Sequence, residues 1–238
     1  VGRRLGQHFL ARQSILEKIA RAACPESCPL VIEIGPGRGA LTTHLLDCAE
    51  HVVAIEVDPV LVEYLRQKFR ENNRLTIVER DVLKTDFAGW GQAVIAGNLP
   101  YYITSPILER LFAAGPAWTR AVFLVQKEVA ERITAAPGTR EYGFLTVTTQ
   151  IFSIPEYLFT VSASAFRPPP KVESAVIRLE PRAAADWGLD NPADFLSFAG
   201  LCFAQKRKTL RNNLRDRYPK IDQLPQASLR AEQVSVAD

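Results

Sequence analysis

No uninterrupted apolar stretch in this chain approaches the roughly 18 to 20 residues a membrane-spanning helix requires, and its opening, VGRRLGQHFL, lacks the apolar core of a secretory signal. A cytoplasmic protein with no membrane partner is expected, and Val1 in place of methionine suggests a start further upstream. Cysteine is scarce and scattered, at positions 24, 28, 48 and 202. No second close pair answers CPESC to complete a tetrahedral site with His8, His44 or His51, so no metal is expected and the thiols are read as reduced. The net charge, +3, is too small to argue for a polyanionic partner by itself. Internal repeats and low-complexity tracts are also lacking.

What is present is alternation. With 238 residues, 47% of them hydrophobic, the chain can build one large domain and a small one. LVIEI (30–34), HVVAIEV (51–57), LTIV (75–78), AVIAG (93–97) and AVFLVQ (121–126) read as strands. Between or after them, 40–49, 59–69, about 105–114 and a segment through Ile133 read as helices, the pattern of an α/β sheet. FLTVTTQIF (144–152) and SAVIRLE (174–180) then read as two strands without a crossover helix, which implies an antiparallel edge. A shift to small, polar and proline residues around 180–192 places a boundary there, giving an α/β domain over 1–182 and a small helical one over 183–238. The closing AEQVSVAD reads as part of a further helix. Between Lys206 and Lys220 lie seven basic residues and one acid, Asp216. Read as one helix, this stretch repeats Arg207, Arg211 and Arg215 every four residues beside a Leu210, Leu214 stripe, a face suited either to phosphates or simply to solvent.

Polar residues collect where the strands end. Gly35, Gly37 and Gly39 follow the first strand as G-x-G-x-G, and Pro36 removes an N–H that a pyrophosphate would need, so the loop suits a nucleoside better than a diphosphate. Glu56 ends the second strand, 21 residues after Gly35, where an acid can hold a ribose diol. Asp81 stands beyond the third strand, placed to accept from an adenine amine, and GNLPYY follows the fourth. Asn98 there offers an acceptor and a donor, Pro100 restrains Leu99 to an extended conformation, and Tyr101 offers a flat face. A plain turn explains the tetrapeptide in isolation. Four polar positions at four successive strand ends instead describe a binding site.

GQHFL, EIGPGRGALT, GNLPYYITSPIL, QKEVAERI, FRPPPKVESAVIRL and CFAQKRKTLRNNL, in that order over residues 2 to about 215, resemble the ordered blocks of the KsgA-type ribosomal RNA adenine dimethyltransferases. The resemblance implies a Rossmann-like S-adenosylmethionine domain with a small all-helical C-terminal domain. It also implies a monomer that dimethylates N6 of two adjacent adenosines near the 3′ end of small-subunit rRNA in an immature subunit. Cofactor contacts carried over fall on His8, Leu10, Gly35, Glu56, Asp81 and Asn98, with Gly37 in the same loop; His8 stands where the family usually has asparagine. On this reading the Asn98 side-chain oxygen and the Leu99 carbonyl accept the N–H bonds of the target amine. Tyr101 and Phe166 hold the base between them, with Pro168 to Pro170 stiffening the Phe166 loop. Lys206, Arg207, Lys208, Arg211 and Arg215 are the expected RNA contacts. Alternatives are an erythromycin-resistance type methyltransferase acting on large-subunit rRNA, a non-catalytic assembly factor, and an NAD-dependent dehydrogenase. The dehydrogenase leaves the tetrapeptide and the basic stretch without a use.

Overall fold

The computed structural model describes residues 8–189 and 191–238, without the side chains of Tyr101, Ala184 and Ala185. β1 (Phe9–Leu10) and α1 (Gln13–Ala23) come first, and α1 buries Leu16, Ile19, Ala20 and Ala23, a helical spacing that presents one face to the core. Strands and helices then alternate as β2 (Cys28–Ile34), α2 (Ala40–Cys48), β3 (Ala49–Glu56), α3 (Pro59–Lys68), β4 (Leu75–Glu79), β5 (Ala93–Asn98), α4 (Thr104–Ala113), β6 (Trp118–Gln126) and α5 (Lys127–Ile133). α3 starts sharply because the Asp58 side chain accepts from the Val60 N–H at 2.9 Å and Pro59 pre-sets the first helical residue. α6 (Phe144–Phe152), β7 (Ser153–Val161), β8 (Phe166–Arg167), β9 (Ser174–Pro181), α7 (Pro192–Cys202) and α8 (Leu210–Leu214) follow.

The large sheet has the order β4-β3-β2-β5-β6-β9-β7. β4 through β6 in that order pair in parallel, and β9 joins β6 antiparallel, which is the antiparallel edge expected from the sequence. Val31, Ile32 and Ile34 of β2 and Val52 to Ile55 of β3 are buried without alternation, as strands covered on both faces require. Strand order reverses at β2, between β3 and β5, so a crevice forms beyond the carboxyl ends of these strands.

The chain divides into two compact units. One comprises the described residues through Ala130 together with Glu156–Pro181, and the other Glu131–Pro155 together with Arg182–Asp238. One division thus falls after Pro181, while 131–155, read from sequence as belonging with the sheet, groups with the C-terminal residues. Its apolar side chains account for this: Ala135, Tyr142 and Val147 form a buried cluster with Ala199 of α7. A second cluster of this unit joins Cys202, Leu210, Leu214, Ile221, Ala227 and Ala231.

Several expectations are corrected. Residues 144–152 form α6, not a strand, because packing overrides their local preference: Thr146, Val147, Thr149 and Ile151 are buried, Val147 in the cluster with Ala135, Tyr142 and Ala199, while the Gly143 N–H donates to the Thr146 hydroxyl at 3.0 Å at the helix start. The strand lies just after it, in β7. The basic stretch is not one helix, since α7 stops at Cys202 and only Leu210–Leu214 is α-helical beyond it. Asn213 draws the chain back, donating to the carbonyls of Cys202 at 2.7 Å and Gln205 at 3.3 Å, while Thr209 pairs with Arg230. The last residues make one short turn, Ala231–Gln233. Cys24 and Cys28, with Cα atoms 5.9 Å apart, are joined in a disulfide, so free thiols remain at Cys48 and Cys202.

Candidate active site

A cavity of about 180 Å³ occupies the crevice in the first unit, and His8, Leu10, Gly35, Gly37, Glu56, Asp81, Asn98, Leu99 and Pro100 all lie in its wall. The loop after β2 holds Gly37 at φ +58° and Gly39 at φ +71°, a region side chains rarely adopt. Space requires glycine there as well: a Cβ on Gly37 would come within 2.9 Å of the Phe9 ring, and one on Gly39 within 2.6 Å of Phe69. The Lys68 ammonium closes the loop from behind, donating to the Arg38 and Gly39 carbonyls at 2.9 and 3.3 Å.

Glu56, 5% exposed, is held by the backbone: its carboxylate accepts from Gly37 N–H at 3.1 Å, Val57 N–H at 2.9 Å and Asp58 N–H at 3.1 Å. Burial raises its pKa, and these three bonds oppose the rise. Since the Gly37 N–H is committed to Glu56 and Pro36 has none, the loop has little to offer a phosphate. Asp81 caps the turn after β4, accepting from the Leu83 N–H at 2.9 Å through one oxygen.

Sequence reasoning missed Glu33. It sits within β2, 1% exposed, in the cavity wall, and the Thr42 hydroxyl donates to it. Burial, with Glu56 adding to it, pushes its pKa up to about 7, against the opposing effects of Thr42 and Lys68. The signal was an acid inside an otherwise apolar strand, which only a paired or neutral carboxyl tolerates.

Asn98 ends β5 half-buried, and its side-chain N–H donates to the backbone carbonyl of His8 at 3.1 Å, leaving its oxygen out of that contact. Leu99, 1% exposed, is fixed by its N–H to the Leu124 carbonyl at 3.0 Å. The His8 ring bonds through Nδ1 to the Pro168 carbonyl at 2.9 Å, so this side chain is engaged with the proline loop. Phe166 does not join the site. It is fully buried in the core with Leu10 and Leu16, and its strand pairs Leu10 with Phe166 across β1 and β8. As placed, its ring gives no face to a docking base. The Tyr101 side chain lies outside the described residues. Lys206, Arg207, Lys208, Arg211 and Arg215 belong to the second unit, where Arg211 pairs with Asp222, Arg215 lies 3.8 Å from Asp216, and Lys206 donates to the Arg140 carbonyl.

A sheet of this order, with a glycine loop after β2 and acids beyond β3 and β4, defines a Rossmann-like methyltransferase with a nucleoside cofactor. The family model for ribosomal RNA adenine dimethylases matches residues 2–235, and the chain belongs to that family. It is accordingly an S-adenosylmethionine-dependent enzyme that methylates adenine in rRNA. A relative from Acidobacterium capsulatum, "Ribosomal RNA small subunit methyltransferase A", is 44% identical over 217 residues, covering 89% of this chain and 76% of that protein. The crystal structure of a dimethyladenosine transferase from Plasmodium falciparum is similar with a TM-score of 0.83 at 29% identity, covering 96% of this chain and 94% of that one. The 23S rRNA methyltransferase ErmE is similar with a TM-score of 0.75, also at 29% identity, covering 94% and 96%.

Proposed function

We propose that this chain acts as a cytoplasmic monomer on immature small ribosomal subunits, dimethylating N6 of two adjacent adenosines near the 3′ end of their rRNA. The observation that carries the reading is the continuity of one cavity wall from Glu56 and Asp81 to Asn98, Leu99 and Pro100, so that cofactor and target base share one space. The residues fit S-adenosylmethionine: Glu33, Glu56 and Asp81 suit a cation bearing a ribose and an adenine, and the glycine loop does not favour a diphosphate. When bound, that cofactor supplies an electrophilic methyl group.

Glu56 holds the ribose hydroxyls, Asp81 accepts from the cofactor's adenine amine through its remaining oxygen, and His8, Leu10, Gly35 and Gly37 frame the pocket. The Asn98 side-chain oxygen and the Leu99 carbonyl accept the two N–H bonds of the target amine. This favours the pyramidal nitrogen that methyl transfer needs. No side chain has to act as a base, because the amine becomes acidic only after it is methylated. Phe166 seats β1, and with it His8, from within the core.

The small-subunit target is supported by the name of the relative at 44% identity, and among solved structures the dimethyladenosine transferase has the higher TM-score, 0.83 against 0.75 for the large-subunit methyltransferase. Incubating the protein with labelled cofactor and immature small subunits, then analysing rRNA adenosines by mass spectrometry, tests the reading. Two adjacent dimethyladenosines near the 3′ end are expected. Label only in large-subunit rRNA, or none, would overturn it.

A further inference from the structure

Two large hydrophobic side chains in the cavity wall are exposed, Val57 at 53% and Tyr102 at 67%. Tyr102 lies in the short turn Tyr101–Ile103, three residues beyond Leu99, whose carbonyl is assigned to the target amine. Exposure rises steeply along this segment, from Leu99 at 1% through a half-buried Pro100 to Tyr102 at 67%. A base that reaches Leu99 is therefore deep, and the Tyr102 ring meets what remains outside. Among the described residues Tyr102 has no hydrogen-bond or ring partner. What sets this ring apart from the other exposed apolar side chains is its place in the cavity wall, three residues beyond Leu99.

RNA supplies a use. Flipping an adenosine into the cavity removes a stacking neighbour from the adjoining nucleotide and leaves one of its π faces bare. We propose that Tyr102 is the stacking platform for the nucleobase next to the target adenosine, an inference that rests on the function proposed above. A flat ring with two rotatable bonds replaces the lost neighbour at little entropic cost and accepts any base. Tyr102 would thus contribute to RNA binding and not to the transfer step or to cofactor binding.

Methylation of immature small subunits by the wild type, Tyr102→Ala and Tyr102→Phe tests this, alongside calorimetric binding of S-adenosylmethionine. Losing one stacked base should raise KM for the particle about tenfold in Tyr102→Ala, with kcat and cofactor affinity within about twofold of the wild type. Tyr102→Phe should recover most of the lost affinity, since the ring and not the hydroxyl is used. A structural readout comes from 2-aminopurine placed beside the target in an RNA hairpin carrying two adjacent adenosines. Its emission should rise on binding Tyr102→Ala, as the base loses its stacked neighbour, and remain quenched on binding the wild type, where the ring replaces that neighbour. Wild-type KM and quenching in Tyr102→Ala, an equal loss in Tyr102→Phe, or weakened cofactor binding would each overturn the role of Tyr102. Failure of the wild type to methylate the particles would instead overturn the functional reading itself.

Discussion

Asn98 carries two duties through one carboxamide. Its N–H anchors the His8 carbonyl, and its oxygen is assigned to the target amine. Asn98→Ala should therefore lower turnover about a hundredfold or more under saturating cofactor, the scale of losing one preorganised polar group, while RNA binding persists. Because the anchor is the backbone of His8, His8→Asn keeps it. Glu56→Ala should weaken S-adenosylmethionine binding by roughly 2 to 3 kcal/mol in calorimetry, as charge-assisted bonds to the ribose are lost. Glu33 gives the pH dependence. Its pKa rises from 4.5 to about 7 on folding, so the folded state binds the proton more tightly and the stabilisation from neutral Glu33 fades as pH rises through that window. At 1.36 kcal/mol for each pH unit between those values, Glu33→Gln should gain about 3 kcal/mol of stability relative to the wild type between pH 4.5 and pH 8. Urea denaturation of both proteins without cofactor, at pH 4.5 and pH 8, measures it; a constant difference would show that Glu33 does not titrate there.

The elements were unequally legible, for physical reasons. β2, β3, β5 and β6 are covered on both faces, and burial of that kind leaves an apolar run that needs no periodicity to be found. Glu56 and Asn98 lie in the cavity wall, where a polar side chain closing such a run marks the crevice, and Asp81 reaches the same wall from beyond β4, a strand only partly buried. α6 was hidden because its threonines and valine favour a pleated strand locally, and burial of Thr146, Val147, Thr149 and Ile151 in the folded chain overrides that preference. Glu33 was hidden inside a strand, where no loop signal points to it. Phe166 was misjudged because the prolines after it suggested an exposed loop, whereas its own strand turns the ring into the core. At this scale the cofactor loop and α3 act together. Gly39→Ala would place a Cβ in the left-handed region and against Phe69 and Leu65 of α3's closing turn, so a loss of at least about 1 to 2 kcal/mol is expected in urea denaturation. Cofactor affinity should fall with it.

For the whole molecule, a total charge of +3 hides a local excess of positive charge. Arg211 and Arg215 have acidic neighbours, whereas Arg207 and Lys208 have no carboxylate partner among the described residues. If this surface meets phosphates, Arg207→Glu with Lys208→Glu should reduce the salt slope of log affinity for immature subunits by about 1.4 to 1.8, at roughly 0.7 to 0.9 for each phosphate no longer neutralised. Arg211→Glu with Arg215→Glu should change it less, since those charges are partly neutralised already. Parallel slopes across a salt series would remove the segment from the RNA surface. The division into two units has a further consequence, for the order in which the protein can mature. The chain passes between units at Ala130/Glu131, Pro155/Glu156 and Pro181/Arg182. During synthesis, Ala135, Tyr142 and Val147 emerge long before Phe195, Ala199, Phe203 and Val236, which pack with them. The nascent α6 must wait, unburied, while the last strands of the sheet are made, so a ribosome stalled before α7 would display a greasy segment to chaperones. No single cut in the chain can release the second unit whole.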